Sequence, residues 1–378
     1  MLKDTYVVNF PQVLHFGCGS RRQAAAEVDR LLAGQEVRLF LLASKSALTS
    51  SPGQELLDSL GTRVVGYKCG ISSDPPLAEV EECIVALREA SANAVLCLGG
   101  GSVLDTGKAA AWLSQGSGSV AEYFAGSIPA PEKIMPLLAL PTTAGTGAEI
   151  TPNAVLTDAV GGQKRSLRSG LMVPKVAVCD PDFTFSLPRR ITADSGLDAL
   201  TQALESYISL GASEYSRGLA GRAVALLMRW LPLAWEDGTN REARTRVAEG
   251  SMLGALAFSQ SSLGAVHGLA HPLGHILQLA HGYTCAVLLP HILAWNLPSC
   301  RPALQALAES MSCSGAEALL EKVQALTEQL QVPGNFRAAG LTPAVFDYVV
   351  KNCRSGSMRS NPRPMSDDEV IALLQKLS

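Results

Sequence analysis

The chain has 378 residues, of which 47% are hydrophobic and 17% charged, and its formal net charge is −3. This composition excludes an intrinsically disordered chain and leaves enough apolar material for a sizeable core. The slightly acidic balance argues against a general nucleic-acid binder, which would carry a basic surface. A chain about twice the common domain size predicts two domains or one large one.

The cysteines and the apolar runs predict a cytoplasmic protein. The nine cysteines are scattered and never form a CxxC pair, which favours reduced thiols over a disulfide framework. The opening segment is mixed and polar, so no secretory signal is expected. No run reaches the roughly 18 apolar residues of a membrane span. We therefore expect neither a membrane nor a nucleic acid as a partner.

Short apolar runs alternate with helical patterns in the first half of the chain. Runs of this kind predict a parallel sheet that helices cover on both faces. The predicted helices cover residues 53–60, 77–90 and 102–115, and the predicted strands are Val37–Ser44, Arg63–Tyr67, Ala94–Gly99, Ile134–Pro141 and Val176–Asp180. A β-hairpin is also predicted around Gly161-Gly162, between 154–158 and 164–168.

The pattern becomes helical beyond Pro188. A Pro-marked stretch at residues 181–190 therefore predicts the boundary between an α/β domain over 1–185 and an all-α domain over 186–378. The stretch after Ser355 is expected to be a surface loop before the last helix. The predicted helices of this half cover residues 192–210, 214–236, 240–260, 262–280, 302–311, 315–330 and 366–377.

Two glycine-containing loops follow neighbouring predicted strands. The segment 99–102 (GGGS) lies where a buried strand ends and a helix begins, a position that turns backbone N–H groups toward a phosphate. The segment 141–147 (PTTAGTG) follows the next buried strand. Each loop alone is also compatible with an ordinary tight turn. Together they favour nucleotide binding at the edge of the sheet.

Five of the six histidines lie between His267 and His291. His267, His271 and His275 recur every four residues, so they share one helix face in an apolar context. Such a cluster is typical of a metal site or of acid–base chemistry, although core histidines bonded to backbone carbonyls remain an alternative.

A metal site also needs a carboxylate, and the predicted helix 192–210 offers one. Asp198, Gln202 and Glu205 are spaced i, i+4 and i+7 and share one face of that helix. Asp198 is flanked by apolar residues, which favours an inward side chain. The alternative for Asp198 is an acidic residue near the helix start that interacts with the helix dipole.

In this order, the segments resemble the iron-dependent (group III) alcohol dehydrogenase family, which is related to glycerol dehydrogenase, dehydroquinate synthase and maleylacetate reductase. The resemblance covers nearly the whole chain and implies the dehydroquinate synthase-like fold. In that fold a Rossmann-like α/β domain binds NAD or NADP and an all-α domain follows. It rests on segments 13–20 (VLHFGCGS), 99–108 (GGGSVLDTGK), 141–149 (PTTAGTGAE), 173–188, 193–205 and 267–274, and on His281-Gly282.

The resemblance also assigns cofactor positions and metal positions. It implies that the pyrophosphate is held by Gly100, Gly101, Ser102 and Asp105, that the nicotinamide side is lined by Thr142, Thr143 and Thr146, and that further cofactor positions fall on Asp74 and Lys164. It places the metal positions on Asp198, Gln202, His267 and His281 and gives a proton-transfer role to His271.

Two positions depart from the family pattern. Gln202 stands where most members carry a histidine, and a glutamine is a poor ligand for softer divalent metals. With Asp198, His267 and His281 retained, the set favours Zn²⁺ over Fe²⁺. Ser44 and Lys45 stand where a carboxylate usually binds the ribose of NAD and repels a 2′-phosphate. Without that carboxylate, the protein is expected to accept NADP, with Ser44 beside the ribose.

The sequence therefore predicts an NAD(P)-dependent, metal-assisted alcohol dehydrogenase or aldehyde reductase. Hydride would pass between the nicotinamide and a small alcohol or aldehyde, and His271 would relay the proton. One alternative is a metal-independent enzyme similar to maleylacetate reductase, and another is a non-catalytic cofactor-binding protein with an incomplete metal site. The apolar segment Ala220–Leu233 is compatible with a homo-oligomer, a dimer or larger.

Overall fold

The computed structural model describes residues 2–378, which form two compact units. One unit is Asn9–Ser186, and the other combines residues 2–8 with residues 187–378. The first unit contains all the strands of the described chain, and its larger sheet is parallel. Its strands are β1 (Val13–Phe16), β2 (Leu39–Ala43), β3 (Val64–Cys69), β4 (Ala94–Gly99), β5 (Leu137–Pro141), β6 (Asn153–Asp158), β7 (Gln163–Arg168) and β8 (Val176–Cys179).

Six of these strands form the parallel sheet in the order β1-β8-β5-β4-β2-β3. The predicted parallel sheet is thus confirmed. The predicted hairpin is also confirmed, since β6 and β7 pair antiparallel as a separate sheet. At its turn, Asp158 accepts hydrogen bonds from the N–H groups of Val160 and Gly161, and Gly162 has a positive φ of 64°.

Helices cover both faces of the parallel sheet. In β4, Val95 and Cys97 belong to one buried cluster, whereas Leu96 and Leu98 belong to a second. Because both faces are buried, the strand reads as a continuous apolar run rather than an alternating one. The helices of this unit are α1 (Ala24–Leu31), α2 (Lys45–Thr49), α3 (Ser51–Leu60), α4 (Leu77–Glu89), α5 (Gly101–Leu113) and α6 (Val120–Ala125).

The second unit is helical. From Thr192 onward its helix α7 is almost entirely buried, and α8, α9 and α11 pack around it. Among residues 2–378, no helix combines the length and the apolar character that a bilayer crossing requires. The helices are α7 (Arg189–Ile208), α8 (Glu214–Glu236), α9 (Arg241–Ser261), α10 (Ala265–Ile276), α11 (His281–Ser310), α12 (Ala316–Gln329), α13 (Phe346–Asn352), α14 (Gly356–Arg359) and α15 (Asp367–Leu377).

The structure corrects two predictions in the helical half. The predicted helix 302–311 is only the end of α11, which begins at His281 and kinks at Cys300. Two prolines, Pro290 and Pro298, lie in the part of α11 that was not predicted, and proline weakens a helical pattern. The predicted surface loop after Ser355 is wrong, since Met358 and Asn361 are buried. Asn361 Oδ1 accepts hydrogen bonds from Asn296 Nδ2 at 2.9 Å and from the Ala265 N–H at 3.1 Å.

Gly107 in α5 allows that helix to lie directly on β4. A Cβ at this position would lie 2.0 Å from Cys97 Sγ, far inside contact distance. We expect Gly107→Ala to destabilise the protein by about 1–3 kcal/mol through overpacking. Gly218→Ala is the matched control, because Gly218 is an exposed helical glycine with no atom within 4 Å of a built Cβ.

The alanine at residue 218 should be neutral or stabilising by up to about 1 kcal/mol, since alanine favours a helix. Thermal unfolding of both variants, followed by circular dichroism, checks the pair. An unfolding temperature that Gly107→Ala leaves unchanged would contradict the packing argument.

Candidate functional site

The glycine turn predicted to bind phosphate lies at the start of α5. Gly100 is the N-cap residue with an extended backbone, and no side chain of the described chain caps this helix. The N–H groups of the first turn therefore receive no side-chain cap, and residues 100 and 101 carry no Cβ to cover them, although the Val103 N–H donates to the Gly100 carbonyl at 3.0 Å. A helix start of this kind is complementary to a phosphate group.

The threonine loop after β5 lies against this turn, because β4 and β5 are neighbours in the sheet. A Cβ on Gly101 would lie 2.7 Å from Thr146 Cγ2, and one on Gly100 would lie 3.5 Å from Thr143 Oγ1. The Thr142 N–H also donates to the carbonyl of β4's last residue at 3.0 Å. The structure therefore brings together the predicted cofactor residues Gly100, Gly101, Ser102, Thr142, Thr143 and Thr146.

Asp105 and Lys108 stabilise the glycine turn and the threonine loop through buried contacts. Lys108 is completely buried, and its Nζ lies 3.0 Å from Asp105 Oδ1 and donates to the Ala148 carbonyl at 2.9 Å. The other Asp105 oxygen accepts a hydrogen bond from the Val155 N–H at 2.9 Å. Both carboxylate oxygens of Asp105 thus contact the protein itself. Lys108 stood in the sequence motif, but no role had been predicted for it.

The remaining predicted cofactor residues form two separate groups. Ser44 is the N-cap of α2 and accepts a hydrogen bond from the Ala47 N–H at 3.3 Å. The Ser44 N–H donates to the Leu98 carbonyl of β4 at 2.9 Å, which places Ser44 close to the glycine turn. Asp74 and Lys164 pair with each other, with 2.6 Å between Oδ1 and Nζ.

Three helices of the second unit bring the predicted metal residues together. Asp198 lies on α7, His267 on α10, and His281 is the first residue of α11. A Cβ on Gly282 would lie only 2.2 Å from the Asp194 carbonyl, so glycine lets the start of α11 approach α7 closely. The adjacent His281 is thereby held next to Asp198.

The side-chain atoms of this cluster converge on one point. His267 Nε2 lies 3.3 Å and His281 Nε2 3.8 Å from Asp198 Oδ1. The sulfur of Cys285, a residue for which no role had been predicted, lies 3.6 Å from His281 Nε2 and 4.0 Å from His267 Nε2. The ligand atoms of these four residues all lie within 4.8 Å of one another.

Glu205 orients His267 from the opposite side. Its Oε2 lies 2.6 Å from His267 Nδ1, and its Oε1 accepts a hydrogen bond from the Val266 N–H at 2.6 Å. A proton on Nδ1 leaves the Nε2 lone pair directed into the cluster, as in many histidines that bind metals. The i, i+7 spacing predicts that Glu205 shares a helix face with Asp198, but no role was predicted for Glu205.

The charges around the cluster favour a cation. Burial alone would lower the pKa of His267, but its electrostatic interactions with Cys285 and Glu205 and its hydrogen bond with Asp198 raise it well above its ordinary value. Burial would likewise raise the pKa of Asp198, yet the hydrogen bond to His267 and the charge of His281 hold it below its ordinary value. A divalent metal can replace the proton on His267, so the donor set fits a metal ion.

Gln202 and His271 lie beside these ligands. Gln202 is buried, its Nε2 donates to Asp198 Oδ2 at 3.1 Å, and its Oε1 is without a hydrogen-bond partner in the described chain. The half-buried ring of His271 stacks on that of His281, with 5.0 Å between the ring centroids. His275 and His291 contact other groups, the Tyr348 ring and the Gly334 carbonyl.

Comparison with known proteins identifies the family. A sequence model described as "Iron-containing alcohol dehydrogenase" matches residues 11–181. A second, "Fe-containing alcohol dehydrogenase family, C-terminal", matches residues 192–378. The chain belongs to the iron-containing alcohol dehydrogenase family. It is an alcohol dehydrogenase, an oxidoreductase that acts on CH–OH groups.

Relatives match over nearly the whole chain. Long-chain-alcohol dehydrogenase 1 of Geobacillus thermodenitrificans is 32% identical over 389 residues, which cover 97% of this chain and 95% of that protein. The 1,3-propanediol dehydrogenase of Citrobacter freundii is 30% identical and covers 97% of each chain. Sulfoacetaldehyde reductase from Bifidobacterium kashiwanohense, solved in complex with NAD+, superposes with a TM-score of 0.93 at 28% identity over 99% of each chain. None of these comparisons favours the metal-free or the non-catalytic alternative.

The orientation of His267 by Glu205 is open to a direct test. In Glu205→Gln, the amide can still accept the Val266 hydrogen bond, but its NH₂ group faces His267 Nδ1 and favours the tautomer that protonates Nε2. We expect the affinity for Zn²⁺ to fall by about 10- to 100-fold. Competition against a chromophoric chelator measures it, with Glu249→Gln as the control because Glu249 pairs with Arg246 on α9. Equal affinity in Glu205→Gln and the unaltered protein would refute this role.

Proposed function

We propose that this protein transfers hydride reversibly between a nicotinamide dinucleotide and a small alcohol or aldehyde, with the help of one divalent metal. The observation that carries the proposal is the convergence of Asp198, His267 and His281 within one buried cluster. Glu205 adds the orienting hydrogen bond that such sites require. These contacts support a metal-assisted reaction over the metal-independent alternative.

The side chains of the cluster have distinct parts in the proposed reaction. A divalent cation held by Asp198, His267 and His281 would polarise the carbonyl bond of an aldehyde substrate. Gln202 holds Asp198 in place through its amide hydrogen bond. His271, half-buried beside His281, exchanges the proton of the substrate hydroxyl with solvent, since an imidazole titrates near neutral pH.

The sheet edge of the first unit is the proposed dinucleotide site. The N–H groups at Gly100, Gly101 and Ser102 would bind the pyrophosphate. Thr142, Thr143 and Thr146 would line the nicotinamide side. The contacts of Asp105 with Lys108 and Val155 favour a supporting role for this carboxylate. A relative of the same fold has been solved with NAD+ bound.

Zinc is proposed in preference to iron. The three predicted ligands with an open position are typical of a catalytic zinc site. Gln202 replaces the additional imidazole of the family pattern, and an imidazole is a donor that suits Fe²⁺. The second candidate is Fe²⁺, which the family name favours.

The domain division and the location are proposed on other observations. The compact units support the predicted domain boundary between residues 185 and 186, although residues 2–8 pack with the helical unit rather than with the predicted first domain. None of the nine cysteines, which all lie within residues 2–378, forms a disulfide bond, and this supports a reducing, cytoplasmic environment. A homo-oligomer stays a prediction, because the apolar side chains of the segment Ala220–Leu233 are mostly buried within the chain and one exposed residue, Leu233, does not make an apolar patch.

Replacing one proposed metal ligand should abolish metal binding while the protein still folds. We expect His281→Ala to lose stoichiometric metal and at least about a hundredfold in aldehyde-dependent NAD(P)H oxidation, because the lost polarisation contributes several kcal/mol. His291→Ala is the control on the same helix, because the hydrogen bond of the His291 ring goes to the Gly334 carbonyl, away from the cluster. Elemental mass spectrometry and steady-state kinetics on both variants decide the matter. Full activity of a metal-free His281→Ala protein would overturn the proposed function.

Ser44 is proposed to set the choice between NAD and NADP. Ser44→Asp keeps an N-cap for α2, since aspartate caps as well as serine does, and adds a carboxylate beside the glycine turn. A carboxylate repels a 2′-phosphate at a cost of several kcal/mol. The KM for NADPH should therefore rise at least about tenfold, while that for NADH stays equal or falls.

Ser50→Asp provides the matched control, because Ser50 is the N-cap of the next helix, α3. It should leave both KM values unchanged. If Ser44→Asp does not raise the KM for NADPH relative to that for NADH, the ribose does not lie at Ser44.

A further inference from the structure

The cluster on α7, α10 and α11 contains a sulfur that the proposed function does not use. Cys285 lies one turn after His281 on α11, so both side chains project from the same face of that helix. The residue is completely buried. Among the described residues, it belongs to the one group of histidine, cysteine and carboxylate side chains that could together hold a metal ion.

Four of the six separations within this group are close to the edges of a tetrahedral site. Zinc bonds of about 2.3 Å to sulfur and about 2.0–2.1 Å to nitrogen or oxygen give tetrahedral edges of about 3.6 Å between S and N and about 3.4 Å between N and O. The sulfur lies 3.6 Å and 4.0 Å from the Nε2 atoms of His281 and His267. Asp198 Oδ1 lies 3.3 Å and 3.8 Å from the Nε2 atoms of His267 and His281. All four values lie within about 0.5 Å of the expected edges.

Gln202 is less well placed to be the fourth ligand. Its amide nitrogen points to Asp198 Oδ2 at 3.1 Å, which makes it a hydrogen-bond donor to a ligand. A thiolate is also a much better donor for zinc than an amide oxygen. Cys285 on α11 is therefore a better candidate for the fourth ligand than Gln202 on α7.

The geometry points to Cys285 Sγ as the fourth protein ligand of the metal, in a set of one carboxylate, two imidazoles and one thiolate. The inference rests on the proposed metal-assisted function. When the metal binds, the S–H bond breaks, the sulfur–metal bond forms, and the proton passes to solvent. Gln202 is then a positioning residue for Asp198. The thiolate favours zinc over iron.

Cobalt substitution distinguishes sulfur ligation from the other possibilities. The full-length protein, stripped with a chelator, is loaded with Co²⁺ and its bound metal counted per chain. A thiolate ligand gives an intense near-ultraviolet charge-transfer band that oxygen and nitrogen ligands do not give. We expect this band in the unaltered protein and in Gln202→Ala, and its loss in Cys285→Ala. Cys300→Ala is the control, because Cys300 lies on the same helix and its thiol donates to the Asn296 carbonyl.

Each outcome bears on one of the two claims. One Co²⁺ per chain without the band, or a band that persists in Cys285→Ala, would overturn sulfur ligation and leave the metal-assisted function intact. No bound metal in the unaltered protein would overturn both. Cys285→Ser is a second variant of nearly unchanged size, in case the alanine variant does not fold. It should bind Co²⁺ without the band, and its relative affinity for Zn²⁺ over Fe²⁺ should fall.

Discussion

The hydrogen bond between Glu205 and His267 is the interaction on which the helical unit's site depends. It joins α7 to α10 in a place where both side chains are almost completely buried. A buried carboxylate is costly unless it is paired, and removing one partner of such a pair typically costs about 3–5 kcal/mol. Glu205 meets this requirement through the His267 ring and the Val266 N–H. The same contact directs His267 Nε2 toward Asp198, so one interaction stabilises the packing and prepares the ligand.

Much of the fold follows from local patterns. The run Ala94–Gly99 predicts a buried central strand because it is continuously apolar. In the structure its side chains enter two apolar clusters, one on each face of the sheet. The glycine turn after this strand could also be predicted, because the segment 99–102 directly follows the apolar run and precedes a helical pattern. The first strand, β1, has only four residues and pairs with β8 from the far end of the unit. A short strand stabilised by so distant a partner has almost no local signal.

The site was predictable only in part. The spacing of Asp198, Gln202 and Glu205 indicates one helix face, and the repeat of His267 and His271 indicates another. Sequence spacing does not say which faces meet. Cys285 was missed because its proximity to His267 depends on the packing of α10 against α11, and the prolines of α11 had hidden the start of that helix. An i, i+4 pair of histidine and cysteine was visible at residues 281 and 285, but without a recognised helix it had no meaning.

The two halves of the glycine motif have different tasks, and this difference bears on cofactor choice. The first half, residues 99–102, presents backbone groups to the edge of the sheet, whereas Asp105 and Lys108 turn inward and hold the following segments. In the proposed site, backbone N–H groups would bind the pyrophosphate, which NAD and NADP share, so this turn would not discriminate between them. Discrimination requires a side chain near the ribose. Ser44, whose N–H donates to the Leu98 carbonyl two residues before Gly100, is the side chain that we propose for this role.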